Sequence, residues 1–337
     1  MSNPLLTIAV LTYNRASLLD LCLDSIVDQV RDCPEHIELI VSNNASTDNT
    51  REVVSRYLSI CPKLRYTENE INCGYDFNAD KCFRLARSKY VWIFSDDDLL
   101  LPRAIERIVP LLKQETLGIV SLATNFYPCK GTIDKSLFPY EPLSFRIYDN
   151  PKEFAREVHV WLTYITGIIV NRQLVSECDM LSLAEGALLI QLGWVIPALY
   201  GQFPSAIVET PLILGRALDV LDFKLFDVFG TGYPSVLKRL CRQKVLPRDS
   251  MEMLIEMIIT KYFTHYINSQ NSYHHGERPL LILGKSFWNQ KAFWVHLFPR
   301  FVRRTLHKIS SKIKFFLPPL IRRYCSRVVA NRNKPTF

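Results

Sequence analysis

The sequence predicts an α/β fold with a mostly parallel central sheet, helices on both faces and a helical, basic C-terminal extension. Three observations predict it. Over residues 5–125, short runs rich in Val, Ile and Leu alternate with segments whose apolar residues recur at helical spacing. Each run ends in a polar cluster, the place where ligands bind in open α/β sheets. Charge is divided unevenly: from Arg278 to the end there are 14 Lys+Arg and no Asp or Glu, leaving 27 basic against 33 acidic residues in the rest.

The elements follow in order. "LLTIAVLTY" (5–13) is β-branched and apolar throughout, which predicts a strand buried on both faces. In "ASLLDLCLDSI" Leu18, Leu19, Cys22, Leu23 and Ile26 share a helix face. "HIELIVSNN" (36–44) predicts a second strand, and its helix is expected near Asp48, with Asn49 and Glu52 at capping-box spacing. "LRYTEN" (64–69) predicts a short third strand, and "FNADKCFRLARS" (77–88) a helix burying Ala79, Cys82, Phe83 and Ala86. "YVWIF" is the fourth strand; a helix with Pro102 in its first turn and Pro110 inside it follows, then a strand over 117–125. Repeated β-α order of this kind favours parallel strands with helical crossovers.

Composition narrows the function classes. The chain has 337 residues, 48% of them hydrophobic, enough for a sizeable core. No run reaches the roughly 20 apolar residues that cross a bilayer, and "GALLIQLGWVIPALY" (186–200) is interrupted by Gln191 and Pro197. The N-terminus lacks the pattern of a secretory signal, so folding in the cytoplasm is expected. Nine scattered cysteines contain no CxxC pair and are expected to be reduced thiols rather than a zinc cage. His274 and His275 lie in a polar loop and are expected to be solvated.

The strongest chemical signal is "SDDD" after the fourth strand. Three adjacent carboxylates repel one another, most of all next to a buried strand. One Asp suffices as a helix cap. If the chain stays extended, Asp96 and Asp98 point the same way, a hard oxygen site suited to Mg2+ or Mn2+. A cation shared with a diphosphate removes the repulsion. The chain has no GxxxxGK[ST] loop, which excludes a P-loop NTPase.

Together "LTIAVLTYNR", "ELIVSNNASTDNT", "NCGYDFN" and "LARSKYVWIFSDDDLLLP" resemble family 2 glycosyltransferases of the GT-A fold, in family order and spacing. The resemblance covers residues 5–125 and continues weakly through "YITGIIVNRQL" (164–174); it is strongest toward abequosyltransferases and other enzymes of bacterial surface-polysaccharide assembly, such as those of lipopolysaccharide O-antigen. It implies a nucleotide-sugar-binding half over 1–125, an acceptor-side half over 126–235 and a helical region over 236–337, whose tail begins at about 278. It implies that Thr12, Tyr13 and Asn14 contact base and ribose, that Asn43 takes the place of the family's base-reading Asp, and that Asn72, Gly74 and Asn78 line the nucleotide. Turn chemistry after a strand is the plainer reading of such Asn residues. Asp48 matches a structural position of the family, and Lys81 and Arg84 are better read as a solvated helix face. Asp96 would hold ribose and join Asp98 as metal ligand, and Asp97 takes either part.

Inversion by in-line displacement, implied by the family, requires a general base for the acceptor hydroxyl. The family's usual carboxylate pair is missing. Glu185 is the first choice, followed by Glu177 and Asp179; a helix N-terminal carboxylate is the plainer reading of Glu185. The tail interleaves Trp, Phe and Leu with Arg and Lys, a composition of helices lying on anionic lipid rather than on nucleic acid. The sequence therefore predicts a metal-dependent enzyme moving a sugar from a UDP-, dTDP- or CDP-linked donor to a lipid-linked glycan at the inner membrane face. The alternatives are a catalytically silent sugar-nucleotide-binding or scaffold protein, and a nucleotidyltransferase, which "VLTYNRAS" disfavours for want of glycine.

Overall fold

The structure, a computed structural model, describes residues 4–33, 35–128, 138, 140–175, 180–184, 186–217, 223–268 and 277–303. Strand β1 (Leu6–Thr12), α1 (Ala16–Asp32), β2 (Ile37–Asn43), α2 (Thr50–Ile60), β3 (Leu64–Glu68), α3 (Tyr75–Leu85) and β4 (Tyr90–Ser95) follow the expected order. Then come β5 (Leu99–Leu100), α4 (Ala104–Gln114), β6 (Ile119–Pro128), β7 (Phe145–Tyr148), α5 (Pro151–Val158), β8 (Ile168–Asn171), α6 (Met180–Ala184), α7 (Leu192–Leu199) and β9 (Ser205–Ala217). Helices α8 (Tyr233–Arg242), α9 (Arg248–Met257), α10 (Thr264–Asn268) and α11 (Pro279–Phe287) follow.

One sheet runs β3-β2-β1-β4-β8-β6-β9-β5, with β7 also on β9. The block β3-β2-β1-β4 is parallel throughout, as expected. Beyond β4 the sheet becomes mixed: β8 runs antiparallel to both β4 and β6, and β5 and β7 run antiparallel to β9. The longest ladder, β6 with β9, is parallel again, so the sheet is mostly parallel as expected, with shorter antiparallel pairings at β8, β5 and β7. Strand β8, four residues long and too short to show a period in sequence, separates β4 from β6.

Both faces of β1 are buried, so its alternate side chains serve two cores. Leu6, Ile8 and Val10 join Leu39, Val41, Trp92 and Phe94 under α1 and α4. Ala9 and Leu11 join Ile40, Val91 and Ile93 on the other face, against α3, α7 and the C-terminal helices. Phe83 of α3 stacks on Trp194 of α7 with centroids 4.6 Å apart. Trp92 Nε1 donates to the Thr166 carbonyl at 2.6 Å, and the Ser95 amide donates to Thr166 Oγ1 at 3.1 Å, tying the end of β4 to the segment before β8.

Local details differ from expectation in two places. Pro102 precedes α4, which starts at Ala104 behind Arg103 at φ 60°. The described part of the basic region, 277–303, is two-sided. Leu283, Phe287, Phe293 and Leu297 enter the core, while Trp288, Trp294, Val295 and Phe298 are exposed. No helix among the described residues is long and apolar enough to cross a membrane. His274, His275 and residues 304–337 lie outside the described residues.

Candidate active site

The carboxyl ends of β1 to β4 bring four loops together. In the first, Asn14 adopts φ 51° and takes two bonds from Thr47, one from its amide at 2.7 Å, while its own amide donates to Ser46 Oγ at 2.8 Å. Asp48 fastens the same loops. Its Oδ2 accepts from the Ala16 amide at 2.9 Å and its Oδ1 from the Thr50 amide at 3.2 Å, which holds this carboxyl below its usual range despite some burial. Asp48 therefore caps α2, and the expected capping box from Asn49 does not form.

The second and third loops are joined by amides. Asn44 is saturated: it donates to Asn72 Oδ1 at 2.8 Å and to the Gly74 carbonyl at 3.3 Å. It accepts from Asn69 Nδ2 at 2.8 Å and from the Cys73 amide at 3.0 Å. Asn43 is fully buried, accepting from the Ser46 amide and donating to Tyr66 Oη, both at 2.9 Å. Being fully buried, it exposes no edge to a nucleobase in this structure, so the expected base-reading role is corrected to a loop-bracing one. Asn78 is likewise buried, with its oxygen shared by Ser42 Oγ and Asn69 Nδ2 and its Nδ2 donating to the Ser42 carbonyl; it supports the loop from beneath rather than lining it. Asn72 and Gly74 lie at the exposed turn, and Lys81 is engaged with Asn69 Oδ1 at 2.7 Å.

Gly74 sits at φ 82°, ψ 169°, a conformation essentially reserved for glycine. A Cβ there meets nothing within 4 Å, so any cost is backbone strain alone. Gly74→Ala is expected to lower stability by about 1–3 kcal/mol. Urea unfolding checks this, and an unchanged midpoint would show that the turn relaxes freely.

The carboxylates form a tight turn rather than an extended strand. β4 ends at Ser95, and the Asp98 amide returns to the Ser95 carbonyl at 3.3 Å. The expectation that Asp96 and Asp98 share a direction by strand alternation is corrected accordingly. Asp96 and Asp97 share the Arg15 guanidinium, 3.3 Å from each. Asp98 faces another set of donors: Tyr164 Oη gives a bond to Oδ2 at 2.9 Å, and the Arg216 amide gives one to Oδ1 at 3.0 Å. Asp97 accepts from the Ser95 hydroxyl through its side chain and from Tyr127 Oη, at 3.0 Å, through its carbonyl.

Burial dominates the electrostatics of this turn. Desolvation pushes Asp96 up to about 7, with Arg15 pulling back and Asp97 adding repulsion. Desolvation and Asp97 push Asp98 up to about 6. Tyr164 is driven far above its ordinary range by burial and by Asp98, which keeps it a neutral donor. Asp96 Oδ2 and the Thr12 hydroxyl are buried and neither meets a partner in good hydrogen-bond geometry, although the hydroxyl lies close enough to Asp96 to pull its carboxyl down. An unpartnered carboxylate oxygen beside a second raised carboxyl is a donor set that a divalent cation fits. Among the described residues no three His, Cys, Asp or Glu side chains are grouped so as to hold a metal ion by themselves.

Tyr13 is exposed at the end of the first loop's strand. Glu185, Glu177 and Asp179 lie outside the described residues. The backbone after Glu185 is held by Asp76, whose carboxylate accepts from the Leu188 amide at 3.1 Å and the Ile190 amide at 3.2 Å. Sequence reasoning missed Tyr164, Thr166 and Tyr127 as partners of the carboxylate turn, and Asn44 as the hub of the loops. Only "YITG" among these carried any signal, through its resemblance to an acceptor-side segment.

Comparison with known proteins agrees with this geometry. Residues 7–174 match the family described as Glycosyl transferase family 2. The chain is 36% identical over 97 residues to the abequosyltransferase RfbV of Salmonella typhimurium, a stretch covering 28% of this chain and 29% of that one. It is 29% identical over 155 residues to a chondroitin synthase of Pasteurella multocida, covering 46% of this chain and 14% of the relative. The matched stretch is thus well under two thirds of either relative's length. Among solved structures, S. aureus TarS 1-349 in complex with UDP superposes with TM-score 0.58 at 14% identity, covering 77% of this chain and 72% of that one. The mannosyltransferase PcManGT of Pyrobaculum calidifontis, in complex with GDP-Man and Mn2+, gives TM-score 0.51 at 17% identity, covering 97% and 84%. At these identities the structural likeness bears on the fold alone, which is GT-A. With its four loops, its carboxylate turn and its matched residues 7–174 in agreement, the chain belongs to glycosyltransferase family 2.

Proposed function

We propose that the protein is an inverting, metal-dependent glycosyltransferase that moves a sugar from a nucleoside diphosphate to a lipid-linked glycan of surface-polysaccharide assembly. The observation carrying this reading is the buried turn Asp96–Asp98, whose two raised carboxyls lie at the strand ends beside Thr12 and Arg15. Asp98 and Asp96 would hold Mg2+ or Mn2+, which when bound neutralises the departing diphosphate. Tyr164 and the Arg216 amide hold Asp98 in place, while Arg15 engages Asp96 and Asp97. Arg15, already spanning two carboxylates, is positioned to turn toward phosphate oxygens. Tyr13 and Asn14 offer the first loop's surface to base and ribose, and Asn72 and Gly74 the third loop's. Asp97 is engaged through both carboxylate oxygens, and Glu185, then Glu177 and Asp179, are the proposed general bases, all outside the described residues. Relatives bound to UDP and to GDP-Man with Mn2+ support a nucleotide-sugar donor.

The exposed face of 288–298, with Trp288, Trp294 and Phe298 near Lys285, Lys291 and Arg300, supports attachment to an anionic membrane surface on the cytoplasmic side. Cutting the chain near residue 280 would remove Leu283, Phe287 and Phe293 from the core, so vesicle binding is better tested by substituting the exposed Trp residues.

Thermal shift with UDP, dTDP, CDP and GDP, each with and without Mn2+, tests the donor site. At least one pair is expected to raise Tm only when nucleotide and metal are both present. No metal-dependent shift with any of the four would sink the reading.

A further inference from the structure

Three aromatic rings sit beside the carboxylate turn, at its Asp98 end. Phe126 at the end of β6, Trp161 in the helical turn His159–Thr163 and Tyr164 form a triangle with centroids 6.0 Å (Phe126–Trp161), 6.2 Å (Phe126–Tyr164) and 6.0 Å (Trp161–Tyr164) apart. Tyr164 belongs to two groups at once, since its hydroxyl bonds Asp98 Oδ2 at 2.9 Å. The other two rings are each 50% exposed. Single exposed apolar residues need no explanation, but two half-exposed rings joined to a partly buried third do.

Backbone geometry maintains the cluster. Gly215 of β9 lies opposite Phe126 in register, and a Cβ there would come within 2.8 Å of both the Phe126 ring and Tyr164 Oη. A side chain at 215 would thus push the ring away from the tyrosine that braces Asp98. Tyr127, next along β6, bonds the Asp97 carbonyl at 3.0 Å. The same strand end therefore carries the rings and touches the turn.

The geometry points to Phe126 and Trp161 as the platform on which the acceptor pyranose, the ring bearing the attacking hydroxyl, lies with its apolar face down. The inference rests on the proposed glycosyl transfer and deepens it. Aromatic faces are electron-rich and attract the weakly polarised C–H groups of one sugar face, while the sugar hydroxyls stay outward. Arg15 and the first loop lie on the Asp96 side of the turn, which assigns that side to nucleotide; the rings lie on the Asp98 side, where the transferred sugar and its acceptor must meet.

Saturation-transfer NMR with the methyl glycosides of glucose, galactose, mannose, rhamnose and N-acetylglucosamine tests the platform, and the nucleotide thermal shift on the same samples reports the donor site separately. At least one glycoside is expected to receive saturation on the C–H protons of one ring face. Trp161→Ala is expected to weaken that signal's affinity roughly tenfold or more while leaving the nucleotide shift intact. Trp161→Phe is expected to recover part of it, and Phe126→Ala serves if Trp161→Ala fails to fold. An undiminished signal in both alanine variants, or no signal from any glycoside in a wild-type protein that binds nucleotide, overturns the platform. A glycoside signal lost in Trp161→Ala without any nucleotide shift supports the platform and defeats only the donor reading.

Discussion

Asp98→Asn is expected to cut metal-dependent turnover roughly a thousandfold, because in the proposed site several kcal/mol of charge stabilisation would depend on Asp98 as metal ligand and each 1.4 kcal/mol is tenfold. The same change is expected to leave Tm unchanged or higher. Burial pushes the Asp98 carboxyl up to about 6, so its charge costs the metal-free fold stability that an amide does not. The sign follows from linkage. Between the unfolded carboxyl's pKa of about 4 and about 6, the folded protein binds the proton more tightly, so metal-free wild type gains stability as pH falls through that window. The variant lacks that gain, and the two melting curves should converge toward pH 4. Unimpaired turnover in Asp98→Asn would remove Asp98 from the metal site. A large loss of Tm at neutral pH would show instead that the Tyr164 and Arg216 contacts need the carboxylate itself.

Asn44→Ala is expected to cost about 2–4 kcal/mol, from four hydrogen bonds at about 1 kcal/mol net each, some of whose partners keep a second bond. The loss should extend to nucleotide binding, because Asn44 joins the end of β2 to the Asn72–Gly74 turn. Asn44→Asp should be at least as damaging. It replaces the Nδ2 donor by an oxygen facing two acceptors, Asn72 Oδ1 and the Gly74 carbonyl. Urea unfolding and nucleotide thermal shift check the pair; a nucleotide shift of wild-type size in Asn44→Ala would show that the third loop does not contribute to donor binding.

Much of the first 125 residues was legible because the signals there are local. An apolar run, a polar end and a helix stripe each announce themselves within a dozen residues. The carboxylate turn was legible for another reason: three charges after a buried strand have few structural explanations. Its geometry was not legible, because alternation holds only while the chain stays extended, and this chain turns at Ser95. The partners of Asp98 come from Tyr164 and Arg216, 66 and 118 positions away, a proximity no local pattern encodes. Asn43 and Asn44 show the same limit. Both read as polar loop residues, and only the fold reveals that Asn43 is fully buried and that every amide edge of Asn44 is already taken.

The stack of Phe83 on Trp194 bears on how the chain comes off the ribosome. Strands β1 to β4 emerge early, and one face of that parallel block finds its cover in α1 and α4 soon afterwards. The opposite face, with Ala9, Leu11, Ile40, Val91 and Ile93, has only α3 over it until residues beyond 150 arrive. Non-local pairing of this kind folds slowly and leaves apolar surface open to misassociation during synthesis. A fragment ending near residue 125 would keep the first three strand-end loops, lose the partners of the carboxylate turn and leave one face of its sheet with little to close against.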